Sequence, residues 1–368
     1  MRNSPAVVFL ATISTLSIAV MAQAPPPPVK PTLETAAVSD DADDPAVWIN
    51  AKDPSRSLIV GTNKVAAPGG ALYAFGLDGQ VRQRIGPLDR PNNVDVEYGL
   101  DAGQTRLDIA ATTERLKSRL RVHAVTEAGL RDVSGAEGIP VLAGEQGEAA
   151  MPMGIALYKR PRDGAIFAIV APKTGGRDRY LWQYRLTASA NGIVSGAFVR
   201  RFGNYSGTSE IEAVAVDDEL GYVYFADEDY GIRKWHADPD HPDASRELAV
   251  FGSSGFEMNR EGIGIYPDVN GGGYIVCVDQ VPGGSRLRFY PRRGPGGRPH
   301  DQDRLLHVVR IAADSTDGME VVHAGALPGF PHGAVIAMNS SGVNFHVYRW
   351  EDVRPASPQV GTDGRLVR

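Results

Sequence analysis

The feature that most restricts how this chain can fold is a repeat. Short apolar runs separated by turn residues fall into six groups that start about every 50–60 residues, a repeat length of propeller blades. The first group is 46–50, 58–62, 71–76 and 80–85, with Asp78-Gly79 as a hairpin turn. The second is 94–98, 107–113, 120–125 and 130–133. The third is 153–158, 165–172, 181–186 and 194–202. The fourth is 211–216, 222–226, 232–236 and 247–251, and the fifth 262–266, 274–278, 286–290 and 305–311. The sixth, 318–322, 334–338 and 345–350, is one strand short, and residues 32–38 are the strand expected to complete it.

The pattern predicts an all-β, six-bladed β-propeller of four-stranded antiparallel blades, with no long helix. Two separate β-sandwiches are the competing arrangement. They leave unexplained the likeness of the third strands: Leu72-Tyr73-Ala74-Phe75, Trp182-Gln183-Tyr184, Arg233-Lys234-Trp235, Arg288-Phe289-Tyr290 and His346-Val347-Tyr348-Arg349-Trp350. The 42 Gly and 26 Pro suit many short strands joined by turns.

The net charge of −6 gives no electrostatic footprint for nucleic acid or an anionic membrane. Residues 1–24 read as an export signal, with Arg2 at the start, an apolar run and Val20-Met21-Ala22 as a small-residue cleavage site. A secreted or periplasmic monomer is expected, with no membrane segment in the mature form. Residues 25–31 read as a Pro-rich linker, 32–354 as the propeller and 355–368 as a tail. Cys277, the one cysteine, lies in a strand-like run and reads as a small core residue. Without disulfides, a large core or bound metal has to supply rigidity.

In a blade, the start of the first strand and the end of the second lie on one face of the ring. Before the first strands stand Asp43-Asp44, Asn92-Asn93, Met153, Glu210 with Glu212, Glu261 and Asp317. After the second strands stand Asn63-Lys64, Glu114-Arg115, Lys173, Asp227-Glu228-Asp229, Asp279-Gln280 and Asn339. An isolated acidic run such as 40–44 is ordinarily a solvated turn. Recurrence at equivalent positions predicts a clustered site instead. Lys64, Arg115 and Lys173 come from blades one to three, while Glu212, Asp227, Glu228, Glu261 and Asp317 come from blades four to six. Asp43 and Asp44 join the latter around the ring, so an acidic half should face a basic half. Hard oxygen donors suit calcium, and Lys and Arg suit phosphate. There is no His-Glu-x-x-His zinc spacing, Gly-x-Ser-x-Gly elbow or P-loop.

At these residues the sequence resembles the β-propeller phytases. The segments that carry the resemblance are Asp43-Asp44-Pro45-Ala46-Val47-Trp48, Thr62-Asn63-Lys64, Asn92-Asn93-Val94-Asp95-Val96 and Asn191-Gly192-Ile193-Val194-Ser195-Gly196. Asp217-Asp218-Glu219, Asp227-Glu228-Asp229, Glu261-Gly262-Ile263-Gly264-Ile265-Tyr266 and Thr316-Asp317-Gly318 follow in the family's order. The resemblance implies calcium-dependent release of phosphate from phytate, with several calcium ions. It implies calcium-site roles for Asp43, Asp44, Glu212, Asp227, Glu261 and Asp317, with Glu228 and Asn93 beside them. It implies phosphate-binding and catalytic roles for Lys64, Arg115 and Lys173, a catalytic role for Glu228 and a substrate contact for Asn93. Three positions depart from the family pattern: Val65 stands where a second Lys is frequent, Met153 where a Tyr is usual, and Thr174 where a carboxylate is common. A metal-dependent lactonase, or a non-catalytic calcium-binding propeller for a polyanion, are the alternatives.

Overall fold

Several strands are apolar at successive positions rather than alternate ones, because each blade is sandwiched between two neighbours and buries both faces. Leu58–Asn63 and Ile166–Pro172 are buried along their whole length. The computed structural model describes residues 26–356 and the backbone of Gln359–Val360 and Leu366–Val367. The proposed export signal, 1–24, lies outside the described residues. No helix among those described is long and apolar enough to cross a membrane.

Among the described residues the main strands form six antiparallel sheets, running in sequence order from an inner to an outer strand except that the outer strand of the sixth comes from the N-terminus. The inner strands are Ala42–Trp48, Pro91–Asp101, Pro152–Lys159, Val214–Asp217, Arg260–Pro267 and Met319–Val322. Each touches the next, and the last touches the first, so the ring is closed. Six apolar clusters fill the six junctions between blades. The aromatic third strands supply much of this packing. Phe75 of blade one meets Phe345 of blade six edge-on at 6.0 Å, and Phe251 meets Tyr290 across the junction of blades four and five at 5.2 Å.

The sixth blade is completed from the N-terminus, as the short last group requires. Leu33–Glu34 pairs with Asn344–Arg349, the third strand of that blade. Bonds from Thr32 N to Val347 O (2.8 Å), Thr35 N to Phe345 O (2.9 Å) and Val38 N to Val343 O (2.9 Å) extend the join. The second blade carries a fifth short strand, Ile139–Pro140. Residues 29–31 are more than a linker, because Val29 bridges to Ile311 at the rim of blade five. The basic stretch 286–304 is also less exposed than its composition suggests. Arg292 is buried and holds Asp217 with bonds of 2.6 and 2.7 Å, tying blade five to blade four. Cys277 is a buried core residue, as expected.

Candidate active site

One backbone bond recurs around the ring and sets the site. The residue after the second strand donates to the residue before the first: Lys64 to Asp41 O (2.8 Å), Lys173 to Met151 O (2.8 Å), Glu228 to Glu210 O (3.2 Å), Gln280 to Asn259 O (3.1 Å) and Ser340 to Asp314 O (3.0 Å). In blade two the pairing of Pro91 with Glu114 does the same. The polar residues at these positions are therefore brought to one end of the channel. Four inner strands also break register there, between Ala42 and Pro45, Pro91 and Val94, Pro152 and Ile155, and Glu261 and Ile263. A bulge re-aims the side chains it contains. These contain Asp43-Asp44 and Asn92-Asn93, which is why the predicted first strands began too late in both blades.

Lys64 sits at the centre of what results. Its Nζ forms an ion pair with Asp43 and lies 3.4 Å from Asp317 Oδ2 and 3.7 Å from Glu212 Oε1. Gln280 donates to Asp317 Oδ1, and Asn92 donates to Glu212 Oε1. Arg115 Nη1 donates to Asn92 Oδ1 at 3.1 Å, so the guanidinium reaches the same group through one amide. Glu210, Glu212 and Glu228 place carboxylate oxygens within 4.8 Å of one another. Glu228 Oε2 accepts from Ser209 Oγ and from Asn259 Nδ2 at 3.1 Å. Asp44 Oδ2 accepts from Val94 N at 2.9 Å, beside buried Asn93.

Burial raises the carboxyls of Asp43, Asp44, Glu228, Glu261 and Asp317. Asp43 and Asp44 stand well above the ordinary range through desolvation, which Lys64 opposes at Asp43 and the Val94 amide at Asp44. Glu261 is raised by burial and then by Glu228, Glu212 and Asp317. Burial takes Glu228 to about 7 against the Ser209 hydroxyl. Lys64 runs the other way: burial alone would lower it, but Asp43, Glu212 and Asp317 outweigh that and hold it well above its usual value.

The expected division into an acidic and a basic half is not what the structure shows, because Lys64 is buried among the carboxylates it was to face. Lys173 is also engaged by acids, Glu210 at 3.2 Å and Glu148 at 3.4 Å. Asp227 is set apart from the group. Its carboxylate accepts from Arg233 Nε and Nη2 (3.0 and 2.9 Å) and from Ser206 N and Oγ (2.7 and 2.6 Å). Glu210 and Gln280 belong to the site more than their place in the chain suggested, the first through Glu228 and the second through Asp317.

A deeper layer escaped the sequence. Asp95, Glu97, Asp218 and Glu320 line a channel cavity of about 280 Å³ whose wall Asp44, Asn93, Glu212, Glu261 and Asp317 share. Burial pushes Asp95 up to about 7 and Glu320 up to about 8. Asp218 shares a hydrogen bond with Glu97, and burial raises both. A separate group, His236, His241 and Asp243, lies on blade four. Its two imidazoles stack at 3.5 Å with planes 16° apart, so their in-plane lone pairs run side by side instead of converging on one ion.

The carboxylate cluster has room for cationic charge. Asp43 Oδ1 has the Lys64 ammonium, whereas Asp43 Oδ2 and Glu261 Oε2 are buried without a hydrogen-bond donor. One Lys ammonium cannot satisfy so many acceptors, and an unmet buried acceptor is costly. A hard cation that takes six to eight oxygens fits this donor set.

Comparison with known proteins bears on the family. A 3-phytase of Bacillus subtilis (strain 168) is 29% identical over 333 residues, covering 86% of this chain and 81% of that protein. Among solved structures, BBS1N in complex with ARL6DN superposes with a TM-score of 0.45 at 9% identity, over 84% of this chain and 78% of that one, too weakly to bear on function. The phytase family model matches residues 3–357, nearly the whole chain, and the protein belongs to the phytase family.

Proposed function

We propose that this phytase releases phosphate from phytate in a calcium-dependent reaction at the Lys64 cluster. The observation that carries the reading is the set of buried acceptors without donors on Asp43 and Glu261, beside Lys64 and Arg115. Asp43, Asp44, Glu212, Glu261 and Asp317, with Asn93 and Glu210 at the edge, are the residues that would hold calcium. Bound there, calcium supplies positive charge to phosphate oxygens and acidifies a water molecule. Arg115 and Lys64 bind and orient the phosphate and offset charge on its non-bridging oxygens. Glu228, held near neutrality by burial, can accept or return a proton at its free oxygen. Lys173 is the rim cation that meets a further phosphate once Glu210 and Glu148 release it.

The apolar leader at residues 1–24 supports export, and we assign the mature protein to the periplasm or medium as a monomer. Phosphate release from phytate, with calcium and after chelation, tests the reaction. Release is expected only with calcium. Release that persists in chelator sinks the metal requirement, and no release under either condition turns the protein into a polyanion-binding propeller.

A further inference from the structure

We propose that Asp279 is a positioning residue for Glu228: it latches the segment 257–260 of blade five, whose side chains hold Glu228 in place. The proposal rests on the role given to Glu228 above. The six second strands end on Asn63, Glu114, Pro172, Asp227, Asp279 and Asn339. Among the described residues, all but Pro172 use the side chain at that position to accept a backbone N–H from the segment that leads into the first strand of the same blade. Asn63 Oδ1 accepts from Asp40 N and Asp41 N (3.1 and 2.9 Å), Glu114 Oε1 from Asp89 N (2.8 Å), Asp227 Oδ2 from Ser206 N (2.7 Å) and Asn339 Oδ1 from Asp314 N (3.0 Å). These segments run on to Asp43, Asn92, Glu210 and Asp317, so each latch sets the approach of a site residue. Pro172 has no side-chain acceptor, and the segment it would hold, Met151-Pro152-Met153, brings no carboxylate.

Asp279 is buried, and its Oδ1 accepts from Glu257 N and Met258 N, both at 3.0 Å, with Oδ2 3.1 Å from the former. Arg286 and Arg288 stand off at 4.0 and 3.9 Å, so its hydrogen bonds go to backbone amides. An ionised acceptor makes such bonds about twice as strong as a neutral one does. The chain then passes directly to Asn259 and Arg260. Asn259 Nδ2 donates to Glu228 Oε2 at 3.1 Å, and Arg260 Nη1 donates to Glu228 O at 2.6 Å while its Nε holds Gly252 O at 2.8 Å. Gln280, the residue after the latch, donates its N–H to Asn259 O at 3.1 Å and closes the clamp. Glu228 belongs to blade four, so its carboxylate and its carbonyl are both fixed from the next blade. A group that moves a proton has to be held this closely, because a misplacement of about 1 Å can cost about 10²-fold in rate.

Asp279→Ala removes the latch, whereas Asp279→Asn keeps an oxygen for the same amides, as Asn63 and Asn339 do in blades one and six. On phytate, Asp279→Ala should lower kcat about tenfold with KM within twofold of the parent, and Asp279→Asn should recover most of the loss. Asn259→Ala, which leaves the latch intact and folds whatever Asp279→Ala does, should lose a similar factor. The double variant should lose little more than either single one, because both act through Glu228. Crystal structures of the calcium-free variants are read without turnover: the bond from Asn259 to Glu228 should be absent in Asp279→Ala and present in Asp279→Asn. Parent-like kcat in Asp279→Ala or Asn259→Ala, multiplied losses in the double variant, or an unmoved Glu228 in Asp279→Ala overturn the proposal. A parent protein that released no phosphate would sink the phytase reading, while the crystal structures would still decide whether Asp279 places Glu228.

Discussion

Lys64 stands where an ion is also wanted, and that double duty shapes what its loss should do. In the proposed reaction it acts as one preorganised donor to the phosphate. Lys64→Met should lower kcat on phytate by about 10²–10³-fold, or about 3–4 kcal/mol. A variant with near-normal turnover rejects that role. In calcium-free protein the same change strips Asp43 of its ion pair, and breaking a buried pair costs about 3–5 kcal/mol. Melting in chelator should therefore drop. In saturating calcium the deficit should shrink, because a bound cation meets the same carboxylates. An equal deficit in both conditions would mean that Lys64 and calcium do not share the site. Neighbouring backbone is equally tight: a Cβ at Gly318 would run into Asp44 and into Asp43 O at 2.7 Å. Glycine there lets blades one and six close on each other.

At the scale of an element, the two-residue strand Leu33–Glu34 has a consequence out of proportion to its length. It joins residues more than 300 apart and turns an open stack of blades into a ring. Thr35 is its anchor. Thr35 Oγ1 accepts from Phe345 N at 3.0 Å, and Thr35 O accepts from Asn344 Nδ2 at 3.1 Å. Thr35→Ala leaves the Phe345 amide buried and unmet, a loss of about 1–3 kcal/mol. Urea unfolding should show it as a lower midpoint at unchanged slope. An unchanged midpoint would mean that the closing strand contributes little. The sequence announced this strand through the missing member of the sixth group. It did not announce the bulges of the inner strands, because a run such as Asp43-Asp44-Pro45 looks like a loop until a neighbouring strand is there to pair with.

At the scale of the molecule, the ring encloses acid. Asp95 and Glu320 are pushed up to about 7 and 8, and Asp218 and Glu97 are raised as a hydrogen-bonded pair. Unfolded, these groups lose their protons near pH 4; folded, Asp95, Asp218 and Glu320 keep theirs to near or above neutrality, and Glu97 keeps its proton above its ordinary range. The folded state thus binds more protons across that interval, and stability must fall as pH rises through it. In chelator, the melting temperature should be highest near pH 5 and decline toward pH 9. Asp218→Asn imitates the protonated acid and keeps an oxygen for the Lys159 amide, now 3.0 Å away. It should flatten the decline, and a variant as steep as the parent removes Asp218 from the account.

The sequence by itself determined the architecture, since each group of strands is a local pattern of apolar runs and turns that recurs down the chain. It also determined which ends of which strands carry charge. Which charges meet was decided only by the tertiary structure. Lys64 and Asp317 lie 253 residues apart and become neighbours because the ring closes. Asp227 and Glu228 are adjacent in sequence, yet Arg233 takes one while the other turns toward Glu212. A carboxylate's partner depends on bulges and on side chains from other blades. Those distances follow from closing the ring, a three-dimensional condition that no local run of residues contains.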